Sequence, residues 1–381
     1  MGFCLHEDHD MIREMVKSFA EQECAPGVSA RDEQEAFPME LWKQCGELGL
    51  AGITLPEAYG GIESDYLSYG IAIEELSKVD PSLGAIVSAH SGFCCTPILL
   101  FGTDEQKKKY LTPLATGMHL GALGLTESFS GTDISGIQTT AVRDGDEYVI
   151  NGSKIFTTNG YYADTYVITA QVDNSKGNQG IAAFILEKGT PGFRFGRNEK
   201  KMGLRSSAMY ELIFEDVRIP AGNLLGEEGQ GFEIAMKTLD YGRIGIAAQA
   251  LGIARGAYEA AAKYSKERRQ FGKTLSEFQN IQFKLADMAL EIETARLLVY
   301  QTCQLATDNK PISKHSAMAK LYASDVCNKI AREAVQILGG YGFSREYLVE
   351  RFMRDGKATE IFGGTSEMQR MIIAGHVLGE F

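Results

Sequence analysis

The amino-acid sequence predicts an α+β protein in three parts: an N-terminal helical region, a small antiparallel β-barrel or sandwich, and a C-terminal four-helix bundle. Three observations carry that expectation. Apolar residues repeat at helical spacing to about residue 120; short β-rich runs broken by tight-turn dipeptides follow as far as Pro220; helical spacing returns after Gly231. The expected boundaries are 1–120, 121–230 and 231–381, and the length suffices for modules of that size.

In the first part Met11, Met15 and Phe19 recur at four-residue steps, and Pro26, Pro56, Gly60, Gly61 and Pro81 interrupt the pattern. Residues 71–76 and 86–100 read as buried helices. His90 stands there among small and apolar residues, a setting in which histidine is more often a satisfied core group or a surface group than a catalytic one. From residue 121 the period changes. Asp144-Gly145, Asn151-Gly152 and Asn159-Gly160 read as tight turns beside the runs 147–150, 154–158 and 165–172. Runs 181–186 and 211–214 add strands, with Thr190-Pro191-Gly192 as a further turn. Stretches 231–266, 276–307 and 314–338, with a final helix, then make four. Along the second of these Ile281, Leu285, Met288, Ile292, Ala295 and Val299 alternate steps of four and three, the seam of a packed helix.

The final helix should open at Thr365 or Ser366, because Ser366 and Gln369 have capping-box spacing and Met368, Met371 and Ile372 follow at helical intervals. A glycine-bearing loop thus meets a helix N-terminus. Free amides and the positive dipole end suit a phosphate or an electron-rich carbonyl oxygen there, the plain alternative being an ordinary capped helix.

Composition narrows the function classes. With 44% apolar and 23% charged residues the chain is of ordinary globular type, and its net charge of −12 disfavours nucleic acid and anionic membranes. No run approaches the roughly 18 apolar residues of a membrane span. The start, MGFCLHEDHDMIREM, lacks a basic n-region, an apolar h-region or an Arg-rich transit pattern, so the expected location is cytoplasmic, of bacterial type. Seven cysteines, at 4, 24, 45, 94, 95, 303 and 327, are odd in number and have no zinc spacing, which predicts reduced structural thiols and no metal. Gly226, Gly229 and Gly231 lack the strand and acid of a βαβ dinucleotide unit, so no nicotinamide site is expected.

Three motifs add a family resemblance. GLTESFSGTDISG (124–136), QILGGYGFSREYLVERFMRD (336–355) and RDGKATEIFGGTSEMQRMII (354–373) resemble, in order, the signatures of the acyl-CoA dehydrogenases, FAD enzymes that desaturate acyl-CoA thioesters between Cα and Cβ. The likeness runs along essentially the whole chain and is greatest to short-chain, butyryl-CoA-type members. It implies the acyl-CoA dehydrogenase-like α+β fold, FAD as cofactor, an acyl-CoA substrate, electron-transferring flavoprotein as electron acceptor, and a homo-oligomer, commonly a tetramer.

Site residues follow from the same resemblance. The backbone around Leu123, Leu125 and Thr126 would follow the flavin edge, Phe156 would lie beside the ring and Thr158 would offer its hydroxyl; without the signatures both side chains read as strand packing. Thr132 would serve FAD and substrate. Arg268 and Phe271 in ERRQFGK, otherwise a solvated charge cluster, would with Gln279, Gln336 and Gly340 reach the FAD of a neighbouring subunit. Thr365 and Glu367 would meet the phosphate and ribose side. Asp240 and Arg243, otherwise a helix ion pair, would face the CoA or thioester end, with Phe362, Gly363 and Gly364 along the substrate.

Most short- and medium-chain members carry the glutamate that takes the α-proton at the position of Gly363, and some branched- and long-chain members carry it one residue before Arg243, here Gly242. Both positions are glycine in this chain. The amide of Gly363 would still hold the thioester carbonyl, so the expectation is slow oxidation with Glu360, His90 and Tyr241 as replacement candidates. The alternatives are an enoyl-CoA reductase that takes its proton from water and a non-catalytic FAD- and CoA-binding scaffold.

Overall fold

The computed structural model describes residues 5–379. Cys4 and the first residues of the N-terminal reading lie outside them. Helix Glu7–Phe19 turns Val16 and Phe19 inward and carries Glu7, Asp8 and Asp10 in its first turn, where acids favour the positive dipole end. Helix Tyr66–Val79 is capped by Asp65, whose carboxylate accepts from the Ser68 amide at 2.7 Å, and is buried on nearly every face. Asp80 caps the next helix through the amides of Ser82 and Leu83, both 3.1 Å away.

That next run, Pro81–Phe101, widens into a π-helical turn at Ala89–Cys95. At 21 residues and a mean hydropathy of 1.6 it is long and apolar enough to span a bilayer, contrary to the sequence expectation; 83% of its most apolar window is enclosed by the fold, as befits a central core helix.

Eight strands form one sheet: β1 (Gly121–Gly124), β2 (Thr140–Asp144), β3 (Glu147–Thr158), β4 (Thr165–Gln171), β5 (Ile181–Glu187), β6 (Phe193–Asn198), β7 (Met209–Pro220) and β8 (Leu224–Leu225), in the order β6-β7-β3-β2-β4-β5-β8 with β1 beside β4. The sheet is mixed where an antiparallel one is expected. The β2–β3 hairpin intervenes between β1 and β4, so the chain returns to β4 in the direction of β1, and both β1 and β2 pair with β4 in parallel. Asn151-Gly152 is no turn: it sits in mid-strand at a bulge opposite β7, so two predicted strands are one. A Cβ at Gly152 would stand 2.6 Å from Thr139 Oγ1, which accounts for the glycine.

Helix Gly231–Glu267 is the axis of the C-terminal part. Gly252 and Gly256 let it approach Tyr66–Val79 closely, since added Cβ atoms would lie 2.3 Å from the Glu74 carbonyl oxygen and 2.5 Å from that of Lys78. Gln279–Thr307, Ser313–Leu338 and Ser366–Leu378 complete the predicted four, and a shorter helix, Val349–Thr359, makes a fifth among the described residues. The six described cysteines are all buried and free.

Candidate active site

The turn at Gly363 and Gly364 joins helix Val349–Thr359 to helix Ser366–Leu378. Both glycines have positive φ, +65° and +93°, where a Cβ would be strained. The final helix is capped by Thr365, whose hydroxyl accepts from the Met368 amide at 3.3 Å. Gln369 closes no capping box. It turns back instead and donates to the Gly364 carbonyl at 2.8 Å.

Two buried cations grip the turn from behind. Arg243 Nε donates to the Gly363 carbonyl at 3.2 Å, while its Nη1 donates to Asp240 at 2.8 Å. Lys320 Nζ donates to the Gly364 carbonyl at 2.7 Å. With both carbonyls engaged, the amides of Gly363 and Gly364 have no intramolecular acceptor among the described residues and are free for a ligand oxygen. Burial lowers the pKa of Arg243 and raises that of Asp240, and each opposes the shift of the other.

Neither glycine at which the resemblance leads one to expect a base could bear a side chain without rearrangement. A Cβ at Gly363 would stand 2.3 Å from Ile246 Cδ1 and 4.0 Å from Phe93 Cζ; one at Gly242 would stand 2.3 Å from two carbons of the Phe93 ring. The replacement candidates fare poorly. His90 is fully buried, its Nδ1 accepts from the Gly121 amide at 2.9 Å, and burial pushes it down to about 3, so it is a neutral structural imidazole. Glu360 accepts from Lys357 at 2.5 Å. Tyr241 is buried against Tyr66, and burial raises its pKa.

A second surface borders this one. Leu125 packs with Ala235 and Leu239, and Phe93, Leu123, Ile134 and Met236 adjoin them. A register shift between Lys154 and Thr157 lifts Phe156 out of β3 with φ +55°, leaving it 54% exposed, and Thr158 follows half-buried on the same strand. Behind this edge Lys154 is buried completely. It donates to Glu127 at 2.6 Å and to the Leu125 carbonyl at 3.2 Å, while Glu127 also accepts from the amides of Gln138 at 2.6 Å and Thr139 at 3.1 Å. The Thr126 carbonyl accepts from the Ile155 amide at 2.8 Å, so the whole edge is tied to β3. Burial pushes Lys154 down to about 8, against the pull of Glu127; burial works to raise Glu127, but Lys154 and the donors hold its carboxyl below the usual range. Thr132 lies exposed in the loop beyond.

The remaining predicted residues are elsewhere. Arg268, Phe271, Gln279, Gln336 and Gly340 are all exposed at the far end of the long helix, 33 residues beyond Ala235, which at 1.5 Å per residue is roughly 50 Å. There Phe271 is 93% exposed on a hairpin and Arg268 lies over the Tyr341 ring. Phe362 and Thr365 flank the glycine turn and Glu367 is exposed beside it. Lys320, Lys154, Glu127 and Phe93 are functional neighbours that sequence reasoning missed. A signal existed for the lysines: Ser316, Ala317, Ala323 and Ser324 surround Lys320 at helical spacing, and Lys154 shares the two-residue period of Tyr148 and Ile150.

Family models for the acyl-CoA dehydrogenase N-terminal, middle and C-terminal domains match residues 6–118, 122–217 and 229–378. The chain belongs to the acyl-CoA dehydrogenase family. Short-chain-specific acyl-CoA dehydrogenase of Clostridium acetobutylicum is 52% identical over 377 residues, covering 99% of this chain and all of the relative. Among solved structures, butyryl-CoA dehydrogenase from Megasphaera elsdenii matches at a TM-score of 0.98 and 50% identity, and a chain from work on the electron transferring flavoprotein of Acidaminococcus fermentans and flavin-based electron bifurcation matches at 0.98 and 55%; each covers 99% of this chain and all of the other. The FAD complex of PigA matches at 0.94 and 32%, covering 100% of this chain and 99% of that one.

Acyl-CoA dehydrogenases are FAD oxidoreductases, and this acyl-CoA dehydrogenase chain has groups that fit a flavin. Phe156 offers an exposed aromatic face beside the Leu125 edge, and the buried hydroxyls of Thr157 and Ser366 have no hydrogen-bond partner. Leu123, Leu125, Thr126, Phe156 and Thr158 would hold the ring and Thr365 the phosphate side, through backbone amides and the start of the final helix.

Proposed function

We propose that this chain is a short-chain, butyryl-CoA-class acyl-CoA oxidoreductase whose α-proton abstraction is slow because neither base position bears a carboxylate. The observation that carries the reading is the glycine turn, with its amides free in front and its carbonyls held by cations behind. The amide of Gly363 binds the thioester oxygen, and charge drawn onto that oxygen acidifies the Cα–H bond. Leu123, Leu125, Thr126, Phe156 and Thr158 would hold FAD, which would supply a hydride acceptor for Cβ. Phe93, Leu125 and Leu239 give an apolar wall for the acyl chain. Asp240 is occupied by Arg243 and Glu360 by Lys357, so proton removal falls to solvent.

The same features favour a second reading, enoyl-CoA reduction, in which hydride is delivered to Cβ and water protonates Cα. Anaerobic bleaching of the yellow holoprotein by butyryl-CoA measures the first direction; reoxidation of the dithionite-reduced protein by crotonyl-CoA measures the second. Both are expected to be slowed by about a hundredfold or more, because the two directions share one transition state and the group that takes the α-proton in the first returns it in the second; the faster of the two decides between the readings. A purified protein that is colourless and takes up no FAD would overturn both readings; one that holds FAD but shows neither reaction would leave the scaffold role. Electron-transferring flavoprotein is the proposed electron partner and the cytoplasm the proposed location.

The exposed cluster about Arg268 supports a homo-oligomer, proposed as a tetramer, since it lies too far from the Leu125 edge to serve the same flavin. Phe283, Leu290 and Leu297 reinforce this. They recur every seven residues on helix Gln279–Thr307, 59%, 67% and 57% exposed, an apolar stripe suited to a second copy. Leu290→Lys is expected to lower the particle mass in sedimentation; a wild-type protein of single-chain mass would sink the assembly.

A further inference from the structure

Lys320 is wholly buried, yet among the described residues no carboxylate lies within ion-pair distance of its ammonium. The acids nearest to it in effect are engaged or exposed: Glu360 is held by Lys357, Asp325 by Arg370 at 3.1 Å, Asp240 by Arg243, and Glu367 is at the surface. Burying an unpaired charge is costly. Hydrogen bonding alone does not account for it, because Gln369 already donates to the Gly364 carbonyl that Lys320 meets.

We propose that Lys320 is a positioning residue for thioester activation: with Arg243 it fixes and polarises the glycine turn, so that negative charge developing on the thioester oxygen at the Gly363 amide is stabilised. The inference rests on the proposed function. In a chain with no carboxylate at residue 363, Asp240 offsets Arg243 but no carboxylate pairs directly with Lys320, so the field of Lys320 acts on the ligand oxygen in a largely buried site. Burial first, and Arg243 second, push the Lys320 ammonium down to about 7, against Glu360, Asp325 and Glu367. Its charge is therefore full well below that pH and lost above it. Activation should fall as pH rises through about 7.

The test uses the oxidised holoprotein with crotonyl-CoA labelled with ¹³C at the thioester carbonyl, read by isotope-edited difference infrared and by titration. In the wild type the carbonyl stretch is expected to shift down on binding, more at pH 6 than at pH 8.5. Lys320→Met is expected to lose most of that shift, to bind crotonyl-CoA roughly tenfold more weakly at pH 6, as suits loss of a charged group, and to show no step near pH 7. Lys320→Arg should keep the shift at both pH values, because its guanidinium does not titrate there. Lys320→Met with the wild-type shift and pH step would overturn the inference. Should that variant fail to retain FAD, the wild type and Lys320→Arg decide, a pH-independent wild-type shift being the overturning result. A wild type that holds FAD but binds no crotonyl-CoA removes the proposed function and this inference together, whereas binding with an unchanged carbonyl removes this inference alone.

Discussion

Gly363→Glu is expected to raise the rate at which butyryl-CoA bleaches the flavin by at least about a hundredfold, the low end of what a positioned general base contributes. The substitution keeps the backbone amide and adds a carboxylate at the place proposed for the proton acceptor. Its cost is bounded: a left-handed φ of +65° on a non-glycine residue takes about 1–2 kcal/mol. The contact at 2.3 Å is with the terminal methyl of Ile246, which can turn aside, and Phe93 is already at an ordinary distance. Gly242→Glu is the instructive contrast. There the new Cβ runs into the Phe93 ring, and Gly92, whose own Cβ would lie 3.1 Å from Gly242 Cα, marks how closely the two backbones pack. No comparable gain is expected from it. Stopped-flow absorbance under anaerobic conditions measures both; an unchanged rate in Gly363→Glu would mean that the base lies elsewhere.

Lys154→Met should destabilise the protein by about 3–5 kcal/mol, the usual range for removing one partner of a buried ion pair, and should release FAD from the preparation. The lysine is buried completely and joins Glu127 to the Leu125 carbonyl, so its loss strands a carboxylate and loosens the segment on which the ring would rest. Denaturant midpoints give the stability and the visible absorbance of the purified protein gives the FAD. The double variant with Glu127→Gln should recover much of the loss, since no buried charge is then left alone. Glu127 also sets an acid limit. Its folded carboxyl titrates below the unfolded value of about 4.3, so the stability it contributes is present above that value and is lost as pH falls through the lower folded one.

What could be read from the sequence was what depends on local order. The stepping of Ile281 to Val299 announced a packed helix, and Asp144-Gly145 a hairpin, because each signal is complete within a few residues. The parallel pairing of β1 with β4 was not legible, since its partners are more than forty residues apart in the chain and nothing in GALG specifies direction. Asn151-Gly152 misled for a related reason: its glycine is required by Thr139 across the sheet rather than by a turn. Motifs located the glycine turn, the flavin edge and Arg243, whereas the lysines behind them went unseen. Lysine in a strand or helix reads as solvent-facing until its neighbours in space are known, and Phe93 acquires meaning only when its ring is found against two glycines distant in sequence.

The enclosure of the cysteines bears on how this protein meets oxidants. Burial pushes the thiols of Cys24 and Cys94 up to about 12 and raises those of Cys45, Cys95, Cys303 and Cys327 as well. A sulfur that keeps its proton neither attacks peroxide nor exchanges with a disulfide. Peroxide and disulfide stress should therefore pass the folded chain by at these positions, leaving electron traffic to the prosthetic group.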